Sequence, residues 1–202
     1  MDSDDMLTPD TLSRVSRFFE THGDETDAVS IPMIYFDSKN EEHVLNDKFR
    51  AGERVIDLRT EWTAAQLSAS SAFFKREALA GLEFDERLHY MEDAKFVHRV
   101  LSRKETLGAV PAASYLYRRR SGGQSSAAQG AVRDPRWYLP RLQYYFGDTI
   151  RYFTDSSGNV PRYVQFVMMY DIQWIFAMED IPHGIERVTY AFLTFSVASM
   201  IS

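Results

Sequence analysis

Two incompatible periodicities alternate along the first 117 residues of this chain. Short runs rich in β-forming residues are separated by stretches in which apolar side chains recur every three or four positions, and no single kind of element satisfies both patterns. Leu12, Val15, Phe18 and Phe19 form the first helical stripe, preceded by Thr8 as N-cap and Pro9 at the first helical position and closed by His22-Gly23. Ala28 to Phe36 is the first β-forming run, and Pro32 within it predicts an edge or bulged strand. Arg54–Leu58 is a second run. Ser68–Phe74 is a third, leading into a helix over Lys75–Leu79 that Gly81 stops. Phe84–Leu88 reads as a loop. Phe96, Val97, Val100 and Leu101 stripe a helix from Met91 to Leu101 with Glu92 and Asp93 in its first turn, and Leu107–Tyr117 is the last strand. Strands interleaved with helices predict an α/β fold.

Beyond Val132 the composition changes. Trp137, Tyr138, Tyr144, Tyr145, Phe146, Tyr152 and Phe153 crowd a segment of helical period, and a second helix starts at Pro161. The Ser/Gly/Gln/Ala stretch 121–130 separates the parts, so the expected organisation is a domain over 1–130 and a helical extension over 131–202. The extension has more apolar surface than one helical face buries, which predicts contact with a membrane surface, another domain or a second copy. Val188–Ile201 is interrupted by hydroxyl residues and falls short of the roughly 20 residues of a spanning helix.

With 45% hydrophobic residues the chain can build a core, and a net charge of −6 argues against nucleic acid as a partner. The absence of cysteine excludes disulfides, zinc-thiolate sites and thiol catalysis. The acidic start Met1–Asp5 lacks the basic and apolar regions of an export signal, so the expected location is cytoplasmic or peripheral at the inner membrane face.

Three groups of residues could carry chemistry. Asp2, Asp4 and Asp5 are hard oxygen ligands suited to Mg²⁺ or Mn²⁺, although an acidic terminus is commonly just solvated. Glu92-Asp93 is favoured at a helix start by the macrodipole whether or not it does chemistry. Arg118, Arg119 and Arg120 end a strand, where alternation turns Arg118 and Arg120 to one face and Arg119 to the other. His43, His89 and His98 show no metal-ligand spacing. Gln66, Ser68, Ser70 and Ser71 are polar strand residues of weaker weight.

Taken in order, Asp2-Ser3-Asp4-Asp5-Met6-Leu7, Phe73-Phe74-Lys75-Arg76, Phe84-Asp85-Glu86, Glu92-Asp93 and Tyr115-Leu116-Tyr117-Arg118-Arg119-Arg120 form a series that resembles the family-2 glycosyltransferases. Asp93 follows Asp4 by 89 residues, a spacing that fits the family's acidic D-x-D motif and its later E-D pair. The resemblance implies the C-terminal part of a GT-A type nucleotide-diphospho-sugar transferase fold, followed by a helical region. It also implies Mn²⁺ or Mg²⁺ on Asp4 with Asp2, Asp5 being the alternative ligand, and a donor diphosphate gripped by Asp2, Arg118 and Arg120. Asp93 would be the catalytic base, with Glu92 orienting the loop or acceptor, and sugar transfer would proceed with inversion.

Gly158–Gln165 and Tyr170–Trp174 are similar to the helical extension of bacterial cell-wall and capsule polymer transferases, including those in which such a domain precedes a teichoic-acid polymerase domain. That implies a polysaccharide or polyol-phosphate acceptor. Only Met1 stands before Asp2, so the expectation is a truncated enzyme lacking its nucleotide-binding half and inactive by itself. The rival expectations are a non-catalytic carbohydrate-binding or assembly module and an inert gene fragment.

Overall fold

A computed structural model describes residues 3–119 and 135–176. It is a mixed α/β structure built on two four-stranded sheets. In chain order the elements begin with β1 (Met6–Leu7), α1 (Thr11–His22), β2 (Ala28–Ser30), β3 (Met33–Asp37) and β4 (Glu41–Glu42). A 3₁₀ turn at Val44–Phe49 leads to β5 (Arg54–Asp57) and β6 (Ala72–Phe74), and a second at Arg76–Leu79 precedes α2 (Glu92–Leu101). Then come β7 (Thr106–Ala109), β8 (Tyr115–Arg119), α3 (Pro135–Pro140), a π-helical segment (Arg141–Gly147), α4 (Asp148–Phe153) and α5 (Arg162–Phe176).

The sheets have strand orders β5-β7-β2-β6 and β1-β8-β3-β4. Both long β-forming runs divide between them. The first bends at Ile31-Pro32 and the second over 110–114, so β2 runs parallel to β7 in one sheet and β3 parallel to β8 in the other. The expectation that Pro32 marks an edge strand is therefore corrected, since β2 and β3 each have a neighbour on both sides. Proline lacks an N–H, and here it lies in the bend, where no ladder bond is needed from it. Its carbonyl still accepts from Tyr115 N at 2.8 Å, while Val110 N donates to Ser30 O at 3.0 Å, holding the two bends together. Leu107–Tyr117 is likewise two strands rather than one.

α1 begins at Thr11 rather than Pro9, with Asp10 in the left-handed region at φ 63°. Its Val15 and Phe18 pack on the sheets with Val29, Ile31 and Tyr115. Gly108 makes that approach possible, because a Cβ there would lie 2.5 Å from the Phe18 ring. The predicted strand at Ser68–Phe74 shortens to β6, since the backbone ahead of it is held by side chains from elsewhere.

The predicted boundary near residue 130 and the segment 188–201 lie outside the described residues. On either side of that boundary the two parts share one core, in which Ile56, Val97 and Leu101 meet Tyr138, Leu142, Phe146, Val164 and Ile172. The aromatic density past Val132 is largely consumed there, with Tyr138, Tyr145 and Phe146 fully buried. Polar links cross the same boundary. Lys95 of α2 reaches Asp148 at 3.0 Å and the Tyr144 carbonyl at 2.6 Å. Among the described residues no helix is long and apolar enough to cross a membrane.

Candidate active site

The start of α2 opens onto a cleft of about 760 Å³ between the α/β part and the helices. Glu92 and Asp93 form one wall. Ser68 and Arg119, at the end of β8, form a second, and Trp137, Arg141, Tyr170, Asp171 and Trp174 come from α3, the π-helical segment and α5. The backbone is strained at the entrance, where Met91 takes φ 68° immediately before α2. A long side chain in the left-handed region costs of the order of 1 kcal/mol, and it persists only where the surroundings enforce it.

The two acids are held differently. Asp93 Oδ2 accepts from Ala69 N at 3.0 Å, tying the helix start to the irregular segment ahead of β6. Glu92 is half-buried, and desolvation lifts its carboxyl above the usual range. The charge of Asp93 adds to that lift, while a backbone hydrogen bond and His89 oppose it. A carboxylate displaced upward at a cleft wall is better suited to take up a proton.

On the opposite wall Arg141 and Asp171 form a buried pair, with Arg141 Nε donating to Asp171 Oδ2 at 2.8 Å and Nη2 donating to Oδ1. Burial pushes the Asp171 carboxyl up, against the pull of Arg141. The guanidinium also lies 4.2 Å from the centre of the Trp137 ring. Pro140 immediately precedes the π-helical turn that presents Arg141, and it withholds the N–H that an α-helical ladder would use there. Trp174 is 47% exposed at the cleft, an aromatic face of the kind on which sugar rings stack.

The acidic motif lies apart from this lining. Asp5 is buried, accepting from the Tyr115 hydroxyl through Oδ2 and from Arg118 N at 2.8 Å through Oδ1, so both oxygens are turned into the fold where β1 pairs with β8. Asp4 is half-buried in the turn before β1, and Asp2 lies outside the described residues. No group of three metal-ligating side chains occurs among the described residues. Arg118 lies 3.5 Å from Asp37 and over the Phe36 ring, whereas Arg119 lines the cleft. Arg120, Ser121, Ser125 and Ser126 lie outside the described residues.

Gln66 and Ser71 are buried in a network in which Ser30 Oγ donates to Gln66 Oε1 at 2.6 Å and Gln66 Nε2 donates to Ser71 Oγ at 3.1 Å. Ser68 borders both the cleft and a smaller recess of about 100 Å³ behind it. His98 is in the core against Tyr145 and Tyr163, and burial lowers its imidazole to about 3, so it stays neutral. The reading of the sequence missed the helical wall and the recess. Arg141 and Asp171 stand 30 residues apart without a shared pattern.

No protein-family model matches the chain. It is similar to the minor teichoic acid biosynthesis protein GgaB of Bacillus subtilis strain 168, at 33% identity over 181 residues, which is 90% of this chain and 20% of that protein. It is also similar to the minor teichoic acid biosynthesis protein GgaA of the same strain, at 28% identity over 179 residues, 86% of this chain and 39% of that protein. The chain thus spans well under half of the length of either relative.

Proposed function

We propose that this chain is the acceptor-side part of a GT-A type, family-2 glycosyltransferase. In this reading it transfers a sugar from a nucleotide-diphosphate donor to a teichoic-acid-like polyol-phosphate polymer. The carrying observation is the cleft that faces Glu92 and Asp93 across to Arg119, Trp174 and the Arg141–Asp171 pair. A sugar acceptor needs an aromatic face, fixed polar partners and a base, and all three line one space. The similarity to two teichoic acid biosynthesis proteins supports the polymer.

In the reaction, the acceptor oxygen bonds to the anomeric carbon from the face opposite the diphosphate, and the bond to the leaving nucleoside diphosphate breaks. That opposite-face displacement inverts the anomeric carbon, and the acceptor proton passes to Asp93. The raised carboxyl of Glu92 favours a second reading in which Glu92 takes that proton and Asp93, bonded to Ala69, positions the helix start. Arg118 and Arg120 remain the proposed grip on the donor diphosphate, and Arg119 joins them from the cleft wall. Asp4 and Asp2 would hold a Mn²⁺ or Mg²⁺ ion, which would supply charge neutralisation for the leaving group, whereas the engaged oxygens of Asp5 do not fit that task. We place the reaction at the cytoplasmic membrane face.

The test is Asp93→Asn beside Glu92→Gln in the complete protein, reading sugar transfer and nucleotide affinity together. The asparagine oxygen still accepts from Ala69 N, so Asp93→Asn should lower turnover about 10²–10⁴-fold with nucleotide affinity unchanged. If Glu92→Gln shows that loss and Asp93→Asn does not, the base is Glu92. If neither lowers transfer, the reading is wrong.

A further inference from the structure

The recess behind Ser68 contains a cation without a counter-ion. Lys48 donates from Nζ to Leu45 O at 3.0 Å and to Ala65 O at 2.8 Å, and no carboxylate stands within ion-pair distance of it among the described residues. Its ammonium is enclosed by protein, and desolvation lowers it to about 7. His43 borders the same recess. Its Nδ1 accepts from Leu45 N at 3.1 Å, which leaves the Nε2 side to carry the proton and donate. The charges of Lys48 and Arg119, after burial itself, hold this imidazole toward its neutral form. The carbonyls that hold Lys48 supply dipoles but no charge, so its protonated form is left uncompensated, and an anion seated beside it would favour that form. The recess and the cleft share Leu67, Ser68 and Tyr170, so the two spaces adjoin and the recess leads toward the wall that carries Glu92 and Asp93.

We propose that Lys48 and His43 form a phosphate subsite off the catalytic cleft, with Arg119 adding positive charge from the cleft side, and that it holds a phosphate of the polymeric acceptor. This rests on the glycosyl-transfer reading for the identity of the acceptor but not for the binding itself. The volume of about 100 Å³ accommodates one phosphoryl group. A phosphate held there would set which hydroxyl of the adjoining unit meets the base.

The experiment is calorimetric titration of the complete protein with sn-glycerol 3-phosphate, inorganic phosphate, glycerol, and uridine diphosphate with Mn²⁺. The wild type should bind glycerol 3-phosphate and inorganic phosphate but not glycerol. Lys48→Met should weaken glycerol 3-phosphate at least tenfold and leave uridine diphosphate unchanged. An equal loss for both ligands would keep the subsite but assign its phosphate to the donor. No loss for either, or binding of glycerol as tight as that of its phosphate, would overturn the proposal. His43→Gln, which keeps the lysine, should weaken glycerol 3-phosphate about three- to tenfold, and it carries the test if the lysine variant does not fold. Asp93→Asn should leave this binding intact. Lys48-dependent phosphate binding in a chain whose complete protein transfers no sugar would retain the subsite and sink the glycosyltransferase reading.

Discussion

Lys95 and Lys48 both hold their ammonium inside the protein, and they are neutralised in opposite ways. Lys95 Nζ lies 2.6 Å from Asp85 and 3.0 Å from Asp148, and Arg87 bridges the same two carboxylates at 2.6 and 2.9 Å. Arg87 first, and Lys95 after it, hold the Asp85 carboxyl well below the usual range. That cluster joins α2 and the loop before it to α4, so its charges are mutually satisfied and it can serve packing alone. Lys48 has two carbonyls and a recess instead. Folding gains little from a buried cation of that kind, and the difference separates a structural charge from one retained for a ligand. The ion-paired Arg141–Asp171 couple falls with Lys95 in this comparison, although it lines the cleft and leaves Arg141 Nη1 without a hydrogen-bond partner.

The paired side should break hardest. Asp171→Ala leaves Arg141 buried at 2% exposure without its partner, and should destabilise the fold by about 3–5 kcal/mol in urea unfolding. A loss below about 1 kcal/mol would mean that water reaches the guanidinium, and Arg141 would then belong with Lys48 as a charge open to ligand.

Lys95→Met should cost less, about 1–3 kcal/mol, because Arg87 still bridges Asp85 and Asp148. The double variant Lys95→Met/Arg87→Met should lose more than the sum of the single ones, since each cation covers for the other. Strict additivity in thermal and urea unfolding would show that the two cations act independently and that the cluster is not one unit.

These two kinds of charge differ in how far a sequence betrays them. The Glu92-Asp93 pair is legible because first-turn acids ahead of the Phe96–Leu101 stripe mark a helix start, and α2 begins there. The α1 stripe and the β5 run are legible for the same reason, as local periodicity needs no partner. The switch of sheets at Pro32 and again after Ala109 is not legible, since an interrupted strand and a strand changing sheets share one local pattern. Lys48 stands in Asn46-Asp47-Lys48-Phe49-Arg50, a polar stretch that reads as surface. Its ammonium is enclosed by chain arriving later, including the carbonyl of Ala65, 17 residues on. The cleft's second wall has the same cause, because Trp137, Arg141 and Trp174 meet α2 only through tertiary packing.

The smallest expected effect is also the most discriminating, and it concerns the stability of Lys48→Met against pH. In the folded chain the lysine titrates near 7, below its value in the unfolded chain, so between those two values the unfolded state binds more protons. Wild-type stability from this residue therefore rises as the pH climbs from about 7 toward 10, and the burial penalty is fully present only at or below about 7. Methionine removes the penalty but also leaves the carbonyls of Leu45 and Ala65 without that donor, which offsets much of the gain. The net result should be a variant about 1 kcal/mol more stable than wild type at pH 6, with the advantage shrinking or reversing by pH 9.5. Lys95→Met should be destabilising across that range, because the Asp85 carboxyl is depressed and its contribution fades only on acidification below the ordinary carboxylate range. Urea unfolding of the three proteins at pH 6, 8 and 9.5 reads both trends. A Lys48→Met variant that is markedly less stable at pH 6 would show that the lysine serves the fold as Lys95 does, and the contrast between the two lysines would collapse.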